Sequence, residues 1–296
     1  MNSTLAKETL LIIPCAGNGT RLLPFSLSAP KEFMPVPNSG LTVPAVLDLI
    51  WKALDAGILA ENIILVVSEE KLTKFREFFQ TNREAFAEEL AAKGKVKFSE
   101  AVQKIPLFKD EQFIVQNGPY GNATPLTSVA NQLSGELSSF KQILYMFPDD
   151  LFTETDEQND IAQMLAAGEK YSGGIFATKR VLSDEEYDKY GIVDGNSVAH
   201  TSGKVLKVNS IIEKPGKENA TSDLASVSGY LLPIELFVFA QNKLARFDAL
   251  TGEEFMIQPV IQDMINGGYD FFAVKIDGEY HDTGNFADFA KLWESV

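Results

Sequence analysis

Residues 9–24 read TLLIIPCAGNGTRLLP, an apolar run that passes into small residues and glycines. Its apolar beginning, Thr9 to Pro14, predicts a short buried strand. The part that follows holds two small residues and two glycines, so the backbone can approach a ligand closely and present N–H groups to phosphate oxygens or to a base edge. The stretch therefore predicts a strand that opens into a ligand-binding loop, residues 16–20, called here the glycine loop.

Two well-known phosphate loops do not fit this stretch. A dinucleotide-binding loop needs a third glycine where Leu22 stands. A Walker loop needs Gly-Lys-Ser or Gly-Lys-Thr after four residues, and none follows here. A plain strand-to-helix turn would have no need of Arg21. The glycine loop is therefore a ligand site of another kind.

The segment after the glycine loop is rich in proline. Pro24, Pro30, Pro35 and Pro37 forbid a regular helix there. The sequence therefore predicts an extended lid or turn over residues 28–36, called here the lid, which carries Lys31 back over the glycine loop.

Apolar runs of strand length alternate with longer helical patterns on either side of this region. Buried strands separated by helices predict a mostly parallel sheet covered on both faces, with ligands beyond the carboxyl ends of its strands. After about residue 171 the pattern becomes richer in strands, and no Pro/Gly/Ser-rich linker divides the two parts. In the first part we predict strands at 9–14, 63–67, 113–115 and 143–147, and helices at 43–56, 71–79, 84–93 and 124–133. In the second part we predict strands at 173–178, 204–212 and 225–232, turns at 194–196 and 201–203, and helices at 256–266 and 286–294.

The charge balance excludes some classes of partner. The chain has 26 Lys+Arg against 41 Asp+Glu, a formal net charge of −15. Such a surface repels phosphate backbones and anionic lipid over long range, so we expect neither nucleic acid nor a membrane as a partner. Cys15 is the single cysteine, which excludes an intrachain disulfide and fits a reducing, cytoplasmic location. No apolar run approaches the roughly 18 residues of a membrane span.

The glycine loop and the lid together resemble the signature of sugar-1-phosphate nucleotidyltransferases. The matching stretches are Ala16 to Pro24 and Pro30 to Pro35, which look most like those of bacterial UTP–glucose-1-phosphate uridylyltransferases. The resemblance implies that the loop backbone and Arg21 hold the nucleoside triphosphate, while Lys31 contacts its phosphates. The nucleotide-binding residues that it implies in the loop are Ala16, Gly17, Asn18, Gly19 and Thr20.

A second loop, residues 116–124, follows the predicted strand 113–115. A glutamine there could hydrogen-bond a base edge, and the uridylyltransferases have a related Gln-Gly-rich loop. The resemblance therefore assigns nucleotide binding to Gln116 and Gly121. The family usually has Gly-His-Ala where this chain has Asn122-Ala123-Thr124, and it lacks Pro119. This departure leaves both UTP and dTTP open as substrates.

Two adjacent carboxylates, Asp149 and Asp150, follow the predicted strand 143–147. Hard oxygen ligands at a strand end suit Mg²⁺ that carries substrate phosphates. In the family the aspartate of a Pro-Asp pair binds the metal, which points to Asp149. We expect Asp150 to face solvent or to cap the following turn.

Residues 280–285 resemble the family's His-Asp-x-Gly-Asn segment. The resemblance makes Asp282 a candidate second metal ligand, and we expect it to share one Mg²⁺ with Asp149. We expect His281 to shape the turn rather than to act as an acid or base.

Residues 190–194 and 211–215 resemble two further motifs of the family, Tyr-Gly-Val-Val and Val-Glu-Lys-Pro. In the family the glycine, glutamate and lysine of these motifs hold the sugar phosphate, which implies this role for Gly191, Glu213 and Lys214. The chemistry agrees, because a carboxylate can accept hydrogen bonds from two sugar hydroxyls and a lysine can neutralise a phosphate.

The resemblance covers residues 9 to 292. It implies an α/β fold, a Rossmann-like mostly parallel mixed sheet with helices on both faces and a β-rich sugar-binding portion, which is the nucleotide-diphospho-sugar transferase fold. We expect one domain over residues 1–296, with a nucleotide-binding half at about 9–170. The sugar-phosphate-binding half and the C-terminal helices would occupy about 171–296.

The resemblance also implies a reaction. UTP and glucose 1-phosphate would give UDP-glucose and pyrophosphate by direct, Mg²⁺-assisted in-line displacement, with Arg21, Lys31 and Lys214 as catalytic cations. A homodimer or homotetramer is typical of the family. Two alternatives remain open: a sister enzyme that uses dTTP or another sugar phosphate, and a catalytically silent sensor of nucleotide sugars. The metal-ligand candidates disfavour the sensor, because binding alone needs no metal.

Overall fold

The computed structural model describes residues 4–153 and 158–294, and a nine-stranded mixed sheet forms its centre. Within those residues the strands are β1 Thr9–Cys15, β2 Pro35–Asn38, β3 Leu41–Pro44, β4 Ile63–Val67, β5 Phe113–Val115, β6 Gln142–Met146, β7 Asp150–Phe152, β8 Gly174–Arg180, β9 Gly191–Ser197, β10 Val205–Glu213, β11 Leu224–Pro233, β12 Phe271–Lys275 and β13 Tyr280–Asp282. The order in the large sheet is β5-β4-β1-β6-β11-β8-β12-β10-β9. Two small sheets pair β2 with β3 and β7 with β13.

Helices lie along the chain between these strands. The α-helices of the described residues are α1 Thr4–Lys7, α2 Ala45–Asp55, α3 Glu69–Gln80, α4 Glu84–Ala92, α5 Val96–Gln103, α6 Thr124–Gln132, α7 Asp160–Tyr171, α8 Leu236–Leu244, α9 Ile257–Asn266 and α10 Phe286–Glu294. No helix in this part of the chain is long and apolar enough to cross a membrane.

Strand direction differs between the two halves of the large sheet. The strands β5, β4, β1 and β6 run parallel to one another. The long strand β11 runs antiparallel to both β6 and β8, and β10 runs antiparallel to β12 and β9. β9 also pairs with β11, so five strands close into a ring. The predicted α/β fold with a mixed sheet is confirmed.

Both faces of the sheet are buried, as the continuous apolar runs predict. Along β1, Leu11 and Ile13 belong to one hydrophobic cluster, which includes α2 and α7. Leu10 and Ile12 point to the other cluster, which includes α6, α8 and α9. Because both faces are covered, the loops at the carboxyl edge of the sheet are left for a binding site.

Several predicted elements are corrected by the structure. The helix predicted from residue 43 begins at Ala45, because residues up to Pro44 pair with β2. The turn predicted at 194–196 is wrong, since these residues lie inside β9. Gly195 is needed there because a Cβ would lie 2.4 Å from the Lys207 carbonyl oxygen of β10. The helices α5, α7 and α8 and the strand β12 were not predicted. The turn at 201–203 is confirmed.

Candidate active site

The carboxyl ends of β1, β4, β5 and β6 meet at one edge of the sheet, since these strands are parallel. The glycine loop leaves this edge after β1, residues 116–124 leave it after β5, and Asp149 lies just beyond β6. The sheet thus brings together three segments that sequence reasoning proposed separately.

The lid lies directly over the glycine loop, as the prolines predict. Gly19 has a φ of +62°, and a Cβ there would lie 3.2 Å from the Ser26 Cβ and 3.3 Å from the Lys31 Cβ. A larger residue would push the two segments apart, so Gly19 serves both a left-handed turn and a close approach. Phe33 anchors the lid from below, because its ring packs against those of Phe75 and Phe78 in α3.

Lys31 and Asp149 form a tight ion pair in this cleft. The Lys31 Nζ lies 2.5 Å from the Asp149 Oδ2, and both side chains are largely buried. Burial works against the charged form of each group. The opposite charge outweighs it, so that the pKa of Lys31 lies above its usual value and the pKa of Asp149 below its own. Both groups are therefore charged at neutral pH.

Asp282 lies beside Asp149 and has cations of its own. Its buried carboxylate is 2.8 Å from the Lys189 Nζ and 3.5 Å from the Arg21 Nη1. The two aspartates are joined through Thr283, whose N–H donates to the Asp149 carbonyl oxygen at 2.7 Å. β13 pairs with β7 in the same place.

The two carboxylates converge on one point, which is the position that a Cβ of Gly284 would occupy. A Cβ built there would lie 2.8 Å from the Asp149 Oδ2, 3.0 Å from the Asp282 Oδ1 and 2.8 Å from the Arg21 Nη2. The two oxygens are therefore less than about 6 Å apart. Among the described residues no cluster of three or more potential ligands exists. A pair of carboxylates that leaves the remaining positions to phosphates and water fits a hard divalent cation such as Mg²⁺.

The prediction for Asp150 is wrong. Its carboxylate is enclosed, because it accepts a hydrogen bond from the Tyr280 hydroxyl at 2.6 Å and lies 3.3 Å from the Ser228 amide nitrogen, which donates to it. Burial, and then the charges of Asp149 and Asp282, raise the pKa of Asp150 to about 7. The physical reason is the β7–β13 pair, which folds over Asp150 and which the sequence pattern did not reveal.

The second loop is fixed mainly by its contact with the segment before α9. Gly121 has a φ of +146°, and a Cβ there would lie 2.1 Å from the Phe255 carbonyl oxygen. Asn122 accepts a hydrogen bond from the Ile257 N–H at 2.8 Å, and thereby ties the loop to the start of α9. Packing thus explains Gly121 and Asn122, the latter being one of the residues at which the loop departs from the family pattern. The backbone N–H of Gln116 donates to the Val67 carbonyl oxygen at 2.8 Å, whereas its side-chain amide makes no hydrogen bond to the described residues.

The sugar-phosphate candidates lie together at a strand end. Gly191 and Glu213 are paired residues of β9 and β10, and a Cβ on Gly191 would lie 3.1 Å from the Glu213 Oε2. Lys214 follows in a left-handed conformation with a φ of 48°, and its side chain is 57% exposed. Gly191 also pairs with Ser226 of β11, and Lys189 reaches Asp282, so this group adjoins the two aspartates.

A family comparison agrees with this geometry. A family model described as nucleotidyl transferase matches residues 11–296. The chain belongs to the nucleotidyl transferase family. The match covers both the sheet edge with the glycine loop and the later strands that carry Gly191 and Glu213.

The relatives are more specific. The chain is 28% identical to a UTP–glucose-1-phosphate uridylyltransferase of Bacillus subtilis (strain 168), over 95% of this chain and 88% of that protein. It is 27% identical to a putative enzyme of the same name from Methanocaldococcus jannaschii, over 93% and 88%. Among solved structures it is similar to a UTP-bound UDP-glucose pyrophosphorylase of Acinetobacter baumannii, with a TM-score of 0.77, 26% identity and coverage of 98% and 93%.

Sequence reasoning missed two lysines of this nucleotidyl transferase site. Lys189 contacts Asp282 at 2.8 Å and Asp288 at 3.1 Å. Burial opposes its charge, but hydrogen bonds to Asp282 and Tyr190 hold its pKa above the usual value. The only available signal was its place just before the Tyr190-Gly191 motif. Lys71, on α3, contacts the glycine loop from behind. The position of Lys71 in the sequence, three residues after Ser68, does not indicate a contact with the glycine loop.

Proposed function

We propose that this chain transfers a uridylyl group from UTP to glucose 1-phosphate and releases pyrophosphate, so that UDP-glucose is formed. The observation that carries the proposal is the convergence of Arg21, Asp149 and Asp282 around Gly284, beside Lys31 and next to the glycine loop. The named activities of the Bacillus subtilis and Methanocaldococcus jannaschii relatives, and the UTP bound in the Acinetobacter baumannii structure, support the choice of substrates.

The reaction needs no protein nucleophile. The attacking oxygen belongs to the sugar phosphate and is already an anion, so the protein must bring two anions together in line and neutralise the charge that develops. In the proposal Arg21 and Lys31 face the triphosphate, and Lys214 faces the sugar phosphate. Asp149 and Asp282 would hold Mg²⁺, which supplies positive charge to the phosphate oxygens when bound.

The other proposed contacts also divide between the nucleotide and the sugar phosphate. The nucleotide would lie against the glycine loop and the second loop, and the sugar phosphate against the ends of β9 and β10. The proposed nucleotide contacts are Ala16, Gly17, Asn18, Gly19, Thr20, Gln116 and Gly121. The proposed sugar-phosphate contacts are Gly191, Glu213 and Lys214.

The test is a release assay for pyrophosphate. The purified chain is incubated with Mg²⁺, each nucleoside triphosphate in turn and several sugar 1-phosphates. UTP with glucose 1-phosphate should give the highest kcat/KM. A tenfold preference for dTTP would move the chain to the sister activity. Tight binding of UDP-glucose without any pyrophosphate release would make it a sensor.

We also propose that the chain forms a homodimer or homotetramer. The support is that homodimers and homotetramers are typical of the family. The acidic surface alone does not prevent association. Light scattering on the purified protein tests the proposal, and a monomeric mass at working concentration would reject it.

A further inference from the structure

Lys71 is a cation with a side chain only 15% exposed, and the proposed chemistry does not use it. From α3 its Nζ donates to the carbonyl oxygen of Cys15 at 2.8 Å and to that of Gly17 at 2.6 Å. It also donates to both carboxylate oxygens of Glu32, at 3.0 and 3.1 Å. One ammonium group thus holds the backbone of the glycine loop and a side chain of the lid.

These contacts fix the direction of two peptide groups in the glycine loop. The peptide bonds after Cys15 and Gly17 are trans, and in a trans peptide the N–H points away from the C=O. Since both carbonyl groups point at Lys71, the N–H groups of Ala16 and Asn18 point to the opposite side. Within the described chain the backbone N–H groups of residues 16–19 donate to no protein acceptor. These donors are left for a ligand.

Glu32 keeps Lys71 in this place. The Glu32 side chain is completely buried, and its turn also carries Lys31. A buried carboxylate without a partner is costly, so Glu32 and Lys71 hold each other at a defined distance. Lys71 is therefore confined beneath the loop instead of extending into solvent.

We propose that Lys71 is a positioning residue, which turns the carbonyl groups of the glycine loop away from the cleft so that its N–H groups can receive the anionic nucleotide. The inference rests on the proposed function, because it takes the ligand of the loop to be a nucleoside triphosphate. Without Lys71 the two carbonyl oxygens lose their partner, and a rotated peptide would present an oxygen, not an N–H, to the phosphates or base. The loop would still form but would bind nucleotide poorly.

The test is the affinity for UTP in the presence of Mg²⁺, measured by calorimetry on Lys71→Met and Lys71→Arg. We expect Lys71→Met to raise the Kd for UTP on the order of 10- to 100-fold, the range for losing charge-assisted hydrogen bonds. Lys71→Arg keeps a cationic donor and should recover most of the affinity. The KM for UTP should rise, while the KM for glucose 1-phosphate changes little. A merely structural role would lower the folded fraction and leave the Kd unchanged.

The matched control is Lys74→Met. Lys74 lies one turn further on α3 and donates to the Ser28 carbonyl oxygen at the edge of the lid, without touching the glycine loop. An equal loss of UTP affinity in Lys74→Met, or wild-type affinity in Lys71→Met, would overturn the proposal. If Lys71→Met does not fold, Lys71→Gln takes its place under the same criterion. Wild-type protein that binds UTP without releasing pyrophosphate would reject the proposed function but leave this binding test intact.

Discussion

Gly284 is the residue at which the candidate site is most crowded. Any side chain there would strike Arg21 and the carboxylates of Asp149 and Asp282. The absence of a Cβ lets these three groups face one another, and the paired charges make the arrangement tolerable without a ligand. On the proposed function, the carboxylates would exchange a protein cation for a metal that arrives with the substrate.

The first prediction concerns these two carboxylates. Asp149→Asn and Asp282→Asn keep the size of the side chain but remove its charge. Each change should lower turnover on the order of 10²- to 10³-fold, as expected for the loss of one group that stabilises the transition state. Asp277→Asn, which breaks an exposed ion pair with Lys204, is the control and should keep full activity. Near-normal turnover in either site variant would show that this aspartate is not a ligand of the proposed metal.

The second prediction separates the two substrates. Lys214→Ala should raise the KM for glucose 1-phosphate about tenfold or more, because one charge-assisted hydrogen bond contributes about 1.5–3 kcal/mol. The affinity for UTP should change little. Lys217→Ala is the matched control, since Lys217 is exposed and forms an ion pair with exposed Asp184. Initial rates at varied concentrations of each substrate measure both effects. An equal loss of affinity for UTP would show that Lys214 does not bind the sugar phosphate selectively.

The third prediction concerns pH and His281. His281 is 6% exposed, its Nε2 makes no hydrogen bond to the described residues, and burial lowers its pKa below 6.5. The unfolded chain therefore binds the proton more tightly, so the free energy of unfolding should fall as the pH drops below about 6.5. His281→Asn should flatten this dependence, and His200→Asn, at an exposed turn, should not. Urea titrations at several pH values between 5 and 8 provide the measurement. Parallel curves for wild type and His281→Asn would contradict it.

Secondary-structure elements differ in how well the sequence reveals them. The buried strands β1, β4 and β6 were predicted because an apolar run between helices has few other interpretations. The three-residue strands β7 and β13 were not, since each includes an aspartate and neither forms a continuous apolar run, unlike the equally short β5. Their pairing is set by contacts between distant parts of the chain. The wrong expectation for Asp150 has the same origin.

The candidate site likewise contains some residues that the sequence indicates and others that it does not. The glycine loop and the lid with Lys31 were predicted because glycine and proline constrain the backbone locally, whereas Lys214 was proposed from the resemblance to the family. Lys71 and Lys189 are ordinary charged residues of a helix and of a turn, and their roles depend on what lies opposite them in space. Apart from the position of Lys189 just before the Tyr190-Gly191 motif, no local pattern distinguishes them from the other lysines of an acidic chain.

The fourth prediction is at the scale of the second loop. Gly121→Ala would place a methyl group 2.1 Å from the Phe255 carbonyl oxygen at a φ of +146°. The change should lower the free energy of unfolding by at least about 1–3 kcal/mol, the range for such backbone strain. Gly135→Ala, where no atom lies within 4 Å of the new Cβ, should change it by about 0.5 kcal/mol at most. Equal stability of the two variants in thermal melts would show that the loop can move away from α9.

At the scale of the whole molecule, the fifth prediction is that metal removal stops the reaction without unfolding the chain. Lys31, Arg21 and Lys189 already neutralise the two aspartates. Excess chelator should therefore abolish pyrophosphate release, while the thermal midpoint without substrates stays nearly the same. Added Mg²⁺ should restore the rate. A large fall in the midpoint on chelation would mean that a metal holds the fold together.

The contact between Thr283 and Asp149 joins residues 134 positions apart, and this separation matters while the chain is being translated. The ribosome delivers the glycine loop, the lid and Asp149 long before β13. A nascent chain can form the Lys31–Asp149 ion pair early. The ion pair between Arg21 and Asp282 forms only after residue 282 has been synthesised. On the proposed function, an incomplete polypeptide could acquire nucleotide affinity before it acquires turnover. Catalytic activity would then appear late and in a single step, when β13 pairs with β7.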